Sequence, residues 1–172
     1  LNSSYALVYN NTFVNTVASF ERDTRSAVGD HFGWHPATGP DVHERDGHVF
    51  SGNLLVADAA FTKALLRADQ APALKDKLTQ PQFAAVDHNL YVRPATAAAP
   101  ALFAWSPGAG DTNQFMLKSP ADVNAKFPQF EAHSRLLDLV PGAVLQGPDL
   151  KRYTPIRALP VSAPLPAKVA EL

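Results

Sequence analysis

The stretch Ala85-Val86-Asp87-His88-Asn89-Leu90-Tyr91-Val92 decides the fold that this sequence predicts, because two earlier segments repeat its pattern. These segments are residues 7–14 (LVYNNTFV) and residues 49–56 (VFSGNLLV). Each has a short apolar strand, an asparagine, one spacer residue and a large apolar residue. Superposing the three asparagines gives steps of 42 and 36 residues. A strand–asparagine–strand unit that recurs with variable excursions is typical of the stacked coils of a β-solenoid.

The repeated asparagines, Asn11, Asn53 and Asn89, predict sharp corners, because asparagine tolerates the left-handed backbone that such corners need. Equivalent side chains in stacked coils could hydrogen-bond each other and form a ladder. The alternative is that each asparagine is an ordinary turn residue. Residues expected to face a continuous core are Leu7, Phe13, Phe50, Leu55, Val86 and Tyr91.

The segments between the repeats differ in character. Residues 17–47 are polar and rich in Gly and Pro, which predicts a long loop. Apolar spacing predicts short helices near residues 60–78, and Ser119 followed by Pro120 predicts another over residues 120–126. The Pro-rich end of the chain is expected to cap the last coil. We therefore expect one domain over residues 1–172, with coils over about 1–94 and a cap and tail over about 95–172.

Composition excludes several classes of protein. The formal net charge of −1 provides no basic field for nucleic acid, and no apolar run reaches the roughly 18 residues needed to cross a bilayer. Cysteine is absent, which removes disulfides and thiolate chemistry. The first residues contain no visible signal peptide, and the chain opens almost directly into a strand. We expect the C-terminal part of a longer protein, of unknown oligomeric state.

Four stretches resemble the C-terminal coils of the right-handed parallel β-helix (pectate-lyase-like) superfamily. They are residues 10–15 (NNTFVN), 87–94 (DHNLYVRP), 103–106 (FAWS) and 130–135 (FEAHSR). The resemblance implies an all-β fold, a right-handed parallel β-helix (solenoid) fragment with a long loop insertion, short helices and a Pro-rich C-terminal cap. It also implies an extracellular or periplasmic protein that binds or degrades polysaccharide, as a lyase or a glycoside hydrolase. The alternative is a non-catalytic structural or adhesive solenoid segment. No run matches a catalytic motif of that superfamily, so whether the chain is an enzyme stays open.

The candidate sugar-binding residues are Trp34, Arg45 and Asp46 in the polar loop of residues 31–48, and Trp105 further along the chain. The two tryptophans offer flat apolar faces to pyranose rings, and Arg45 or Arg25 could pair with a uronate carboxylate. The alternative is that Trp34 only packs the loop onto the coil and that Arg45 pairs with a neighbouring acid in the loop.

The same loop holds candidates for catalysis. In a β-elimination, His35, His43 or Arg45 could act as the base, while Asp41 and Asp46 hold a cation such as calcium. No cofactor is otherwise identified, and these residue types also occur in many polar loops.

The remaining histidines carry weaker hypotheses. His31 and His35 are four residues apart, as in some transition-metal sites, but Gly33 and Pro36 disfavour a helix there, and ordinary loop histidines are the alternative. His88 and His133 are expected to be hydrogen-bonded structural residues.

Overall fold

Each of the three repeated segments forms two short strands that meet at the asparagine corner. The computed structural model describes residues 4–22, 45–72, 80–98, 101–106, 114–146 and 154–155. The strands before the corners are β1 (Leu7–Tyr9), β4 (His48–Ser51) and β7 (Phe83–Asp87). The strands after the corners are β2 (Thr12–Val14), β5 (Leu54–Val56) and β8 (Leu90–Val92).

A third series of strands follows the second. It contains β3 (Ala18–Arg22), β6 (Leu66–Gln70), β9 (Phe103–Trp105) and β10 (Phe115–Leu117). The C-terminal elements are helix α1 (Pro120–Lys126), β11 (Arg135–Leu137), a 3-10 turn (Pro141–Ala143), β12 (Leu145–Gln146) and β13 (Thr154–Pro155).

These strands form three parallel sheets. The strand orders are β1-β4-β7, β2-β5-β8-β11 and β3-β6-β9, the last extended by the antiparallel strand β10. Strands β12 and β13 form a separate antiparallel pair. The register places Val8 beside Phe50, and it places Leu55 between Phe13 and Tyr91. The repeats of the sequence therefore identify which strands pair.

The expected fold class, a single all-β right-handed parallel β-helix, is wrong. The described strands belong to several distinct parallel sheets accompanied by few helices, rather than to one solenoid, and β10 runs antiparallel to its neighbour. A repeated strand–corner–strand pattern specifies neighbouring strands within a sheet. It does not specify how different sheets are related or how each sheet ends, because those depend on contacts between segments that do not repeat.

The loop and helix boundaries also need correction. Residues 18–22, expected in the long loop, form strand β3, and residues 23–44 lie outside the described part of the chain. Residues 66–70, expected to be helical, form strand β6, while residues 73–79 also lie outside it. In both strands alternate side chains are buried, and burial against the neighbouring strands outweighs a weak helical spacing.

The C-terminal helix is confirmed. Helix α1 spans Pro120–Lys126, as expected, and the Ser119 side chain accepts a hydrogen bond from the Asp122 N–H. Pro120 at the first helical position and Asp122 in the first turn complete a favourable N-terminus. None of the helices in the described residues has the length and apolar character required to cross a bilayer.

The main core lies between the three parallel sheets. Phe50, Leu55, Val86 and Tyr91 are fully buried there, as expected, and Phe13 packs against them partly buried. The prediction for Leu7 is wrong, since this side chain is 52% exposed. Because side chains alternate along a strand, the inward position of β1 falls on Val8, which pairs with Phe50.

A second apolar cluster covers the other face of the β2-β5-β8-β11 sheet. Leu54, Val56, Leu90 and Val92 point away from the main core and pack against Val144 and Leu145. All three residues of β5 and of β8 are therefore buried, and their sequences are continuously apolar rather than alternating. The segment around residues 139–145 thus packs against the face of this sheet that points away from the main core.

The predicted asparagine ladder is confirmed by its hydrogen bonds. The Oδ1 atom of Asn53 accepts from the backbone N–H of Asn11 at 3.0 Å and from its Nδ2 at 3.2 Å. Asn89 Oδ1 accepts the same two bonds from Asn53, at 3.0 and 3.2 Å. At the next position Ser134 Oγ accepts from the backbone N–H of Asn89 at 2.8 Å. The ladder therefore satisfies buried corner groups and ends on a serine.

Candidate functional site

The residue that precedes each of the three ladder asparagines adopts an unusual backbone conformation. Asn10, Gly52 and His88 have φ angles of +53°, +67° and +58°, in the left-handed region. Asparagine and glycine adopt this region readily, whereas a larger side chain pays about 1 kcal/mol or more for it. His88 is therefore placed at a corner where the backbone alone favours asparagine or glycine.

A second histidine occupies the matching place one layer further on. His133 precedes Ser134, as His88 precedes Asn89, and Ser134 bonds to the Asn89 backbone. The two imidazole rings stack, with centroids 4.8 Å apart and an interplanar angle of 22°. The pairing of β11 with β8 and the bond between Asn89 and Ser134 thus bring together two histidines separated by 45 positions in the chain.

Asp87, the last residue of β7, connects these histidines. Its Oδ1 accepts hydrogen bonds from the backbone N–H groups of His88 at 2.8 Å and His133 at 2.7 Å. Its Oδ2 lies 2.7 Å from Nδ1 of His133 and 3.4 Å from Nδ1 of His88. The two backbone bonds hold the carboxylate in one orientation, so that Oδ2 faces both imidazoles.

The electrostatics of this corner favour an ionised Asp87. Burial by itself raises the pKa of Asp87, but the His133 side chain, the two backbone N–H groups and the charge of His88 together bring the pKa below its usual value. The side chains of His133, His88 and Asp87 are 67%, 36% and 21% exposed. The carboxylate is therefore charged at neutral pH, and the cluster is accessible from solvent.

A buried acid lies close to this corner. Glu131 is enclosed, has a left-handed φ of +57°, and its Oε1 accepts a 2.5 Å hydrogen bond from the hydroxyl of Tyr91. Burial raises the pKa of Glu131 to about 7, although hydrogen bonding to Ser134, Tyr91 and Asn89 acts in the opposite direction. Burial and the neighbouring Glu131 raise the pKa of Tyr91 well above its usual value. This pair is inside the protein and offers no group to solvent.

The exposed cluster has the composition of a metal site. Asp87, His88 and His133 each offer one ligand atom, and the three atoms lie within 4.8 Å of one another. Imidazole nitrogen and carboxylate oxygen are ligands that zinc accepts, and three protein ligands leave a position for water. We name these three residues the Asp–His–His cluster.

Most of the sequence-predicted site residues lie outside the described part of the chain. These are His31, Trp34, His35, Asp41 and His43. Of the described ones, Asp46 is half-buried, and its backbone carbonyl accepts a 2.8 Å hydrogen bond from the Tyr5 N–H.

The structure places Trp105 and Arg45, two of the residues expected on a sugar-binding surface, in the interior. Trp105 is buried, with its ring centroid 5.3 Å from that of Phe83 and 5.5 Å from those of Phe127 and Phe130. Arg45 is also buried, so neither side chain is part of the described surface. Nothing in the described residues indicates carbohydrate binding or secretion.

The Asp–His–His cluster was missed as a site, although the sequence contains a signal for it. The run Ala132-His133-Ser134 shares its histidine with Asp87-His88-Asn89 and has serine at the position of the ladder asparagine. Counting this run as a fourth corner would have stacked the two histidines. The repeat is difficult to find because the step of 45 residues differs from the earlier steps of 42 and 36.

Comparison of the chain with protein-family models, with curated proteins and with solved structures gives no match. The resemblance to the pectate-lyase-like superfamily, and the polysaccharide function that it implies, therefore stay predictions.

Proposed function

We propose that this protein binds a divalent transition-metal ion of the zinc type through Asp87, His88 and His133. The observation that carries the proposal is the convergence of one ligand atom from each residue within 4.8 Å. A mixed nitrogen and oxygen ligand set favours zinc, copper or nickel over calcium, which prefers oxygen ligands throughout.

The cluster requires little rearrangement to hold a metal. In a tetrahedral zinc site with bonds of about 2.0–2.2 Å, neighbouring ligand atoms lie roughly 3.3–3.5 Å apart. The distance from Asp87 Oδ2 to Nδ1 of His88 is already 3.4 Å, and that to Nδ1 of His133 is 2.7 Å. Moving Nδ1 of the exposed His133 ring outward by about 0.7 Å would give its pair with Asp87 Oδ2 the same 3.4 Å separation as the pair with His88.

Backbone contacts support the orientation of the carboxylate ligand. The two N–H groups that bind Asp87 Oδ1 belong to His88 and His133, the other two ligand residues. Hydrogen bonds of this kind orient metal ligands, and their removal commonly weakens metal binding about 10- to 100-fold. A metal would replace the proton shared by His133 Nδ1 and Asp87 Oδ2, so its affinity should fall as the solution becomes more acidic.

The proposal is tested by isothermal titration of the EDTA-treated protein with ZnCl₂. His88→Asn is the sharpest variant, because Asn10 occupies the equivalent left-handed corner and shows that asparagine fits there. It should weaken zinc binding at least about tenfold without loss of stability. Asp87→Asn keeps an oxygen for the backbone N–H groups but removes the charge, and should weaken binding similarly.

The matched control removes the other candidate ligands. A variant in which His31, His35 and His43 are all replaced by glutamine should keep the zinc affinity of the parent protein. The proposal is refuted if zinc binding is lost in this control but is unchanged in His88→Asn and Asp87→Asn, or if the parent protein binds no zinc.

A further inference from the structure

A cavity of about 470 Å³ lies at the opposite end of β8 from the Asp–His–His cluster. This volume is within the range of about 300–1,000 Å³ that is usual for small-molecule sites. Its walls include Arg93, Pro94, Ala101, Leu102, Lys118 and Leu136. Most of these are apolar, and the two ionisable ones are both cations.

Arg93 is a buried cation that forms no ion pair with an acid among the described residues. Its Nη1 donates to the carbonyl of Ala101 at 2.8 Å, and its Nη2 donates to the carbonyl of Lys63 at 2.5 Å. Its guanidinium carbon lies 5.9 Å from the ring centroid of Phe61. The Nε atom is buried and has no hydrogen-bond partner. Within the described ranges, no carboxylate forms an ion pair with Arg93.

The free energy of this arrangement favours an anion. Burial lowers the pKa of Arg93, but a guanidinium stays charged at any physiological pH. A charge that is removed from water without a counter-charge is costly, so an anion that enters the cavity would relieve part of this cost.

The second cation of the cavity strengthens the argument. The Lys118 ammonium makes no ion pair with any described residue, and no acid is among the lining residues. The acid next to the cavity is Asp138, whose Oδ1 accepts a 2.6 Å hydrogen bond from the N–H of the lining residue Ala95 and forms no ion pair with Arg93 or Lys118 among the described residues.

We propose that this cavity binds a small organic acid, with its carboxylate on Arg93 and Lys118 and its aliphatic part against Pro94, Leu102 and Leu136. A guanidinium has five N–H donors, so Arg93 keeps donors for a carboxylate beyond the two that bind Ala101 and Lys63, and Lys118 adds a point charge. The apolar walls distinguish such a ligand from a bare inorganic anion. This site is independent of the metal proposed at the Asp–His–His cluster.

The test is a titration of the ¹⁵N-labelled protein, followed by two-dimensional NMR, with hexanoate, hexanamide and inorganic phosphate. Hexanoate should cause saturable shifts at Ala101, Leu102 and Lys118. Hexanamide has the same tail without the charge, and phosphate has the charge without a tail. Both should bind at least about tenfold more weakly than hexanoate.

Variants assign the effect to the two cations. Lys118→Met removes an exposed charge and should weaken hexanoate binding about threefold to tenfold. Arg93→Lys keeps the charge, loses the fork and should weaken it further. If Arg93→Lys does not fold, Lys118→Met still tests the site, with Lys126→Met as a control cation outside the cavity.

Three outcomes would overturn the proposal. The first is the absence of saturable hexanoate binding. The second is equal binding of hexanoate and hexanamide, which would show that the cations play no part. The third is binding of phosphate with no binding of hexanoate, which would exclude a carboxylic acid as the ligand class.

Discussion

Substitution of Asn53 by alanine should destabilise this protein far more than the same change at Asn11. Asn53 is fully buried in the middle of the ladder. Its Oδ1 accepts two hydrogen bonds from Asn11, and its Nδ2 donates to the carbonyl of Val8 at 3.0 Å and to Asn89 Oδ1 at 3.2 Å. The Asn53→Ala change removes all four of these bonds.

The size of the effect follows from the groups left behind. A hydrogen bond contributes about 1 kcal/mol net, and a buried polar group left without a partner costs about 1–3 kcal/mol. In Asn53→Ala the Asn11 N–H loses its acceptor and the Val8 carbonyl loses one bond, whereas Asn89 Oδ1 keeps the backbone N–H of Asn53. We expect a loss of about 3–4 kcal/mol in the free energy of unfolding.

Asn11→Ala provides the matched control. The Asn11 side chain donates to the carbonyl of Tyr9 at an exposed site and to Asn53 Oδ1, which would keep its bond from the Asn11 N–H. We expect a loss of about 1 kcal/mol or less. Asn53→Ser should fall between the two alanine variants, because Ser134 shows that a serine hydroxyl can accept the corner N–H at 2.8 Å.

The assay is urea unfolding followed by far-ultraviolet circular dichroism for the parent and the three variants. The expected order of destabilisation is Asn53→Ala, then Asn53→Ser, then Asn11→Ala. Equal effects of the two alanine variants would refute the reasoning, because they would show that the buried stacking of amides adds nothing to an ordinary turn.

Three further predictions concern stability. Glu131→Gln should flatten the pH dependence of the free energy of unfolding. The pKa of Glu131 rises from 4.5 to about 7 on folding, so the folded parent protein holds this proton more tightly than the unfolded chain. The free energy of unfolding of the parent should therefore fall by roughly 3 kcal/mol as the pH rises across that interval. Urea unfolding at pH 4.5 and 8 with EDTA measures this, and an unchanged pH dependence in the variant would contradict it. Ser119→Ala removes the N-cap of helix α1 and should lower the free energy of unfolding by about 1 kcal/mol, measured in the same way. An unchanged stability would show that water replaces the serine hydroxyl as the acceptor at the helix N-terminus. Phe50→Ala should lower the free energy of unfolding by about 3–5 kcal/mol and Leu7→Ala by less than about 1 kcal/mol, since Phe50 is buried and Leu7 is 52% exposed. Thermal melts that show comparable losses would contradict the assignment of Leu7 to the outward face of β1.

The sequence did not predict the candidate site, since His88 and His133 were both expected to be structural residues. The two histidines are 45 positions apart, with strands β8, β9 and β10 and helix α1 between them. The polar loop with Trp34 and His35 attracted the functional hypotheses because its residue types are concentrated locally, and it lies outside the described residues. Local density of polar residues is visible in a sequence, whereas convergence of distant residues depends on strand register.

The sequence by itself determined the pairing of the repeated strands, the position of the asparagine ladder and the limits of helix α1. These features depend on local chemistry, on the two-residue alternation of strands and on residues that recur at corresponding positions. Only the tertiary structure decided that the strands form several sheets rather than one solenoid, that Trp105 is buried, and that Asp87, His88 and His133 meet at one corner. These outcomes depend on contacts between segments far apart in the chain, whose free energies no local pattern encodes.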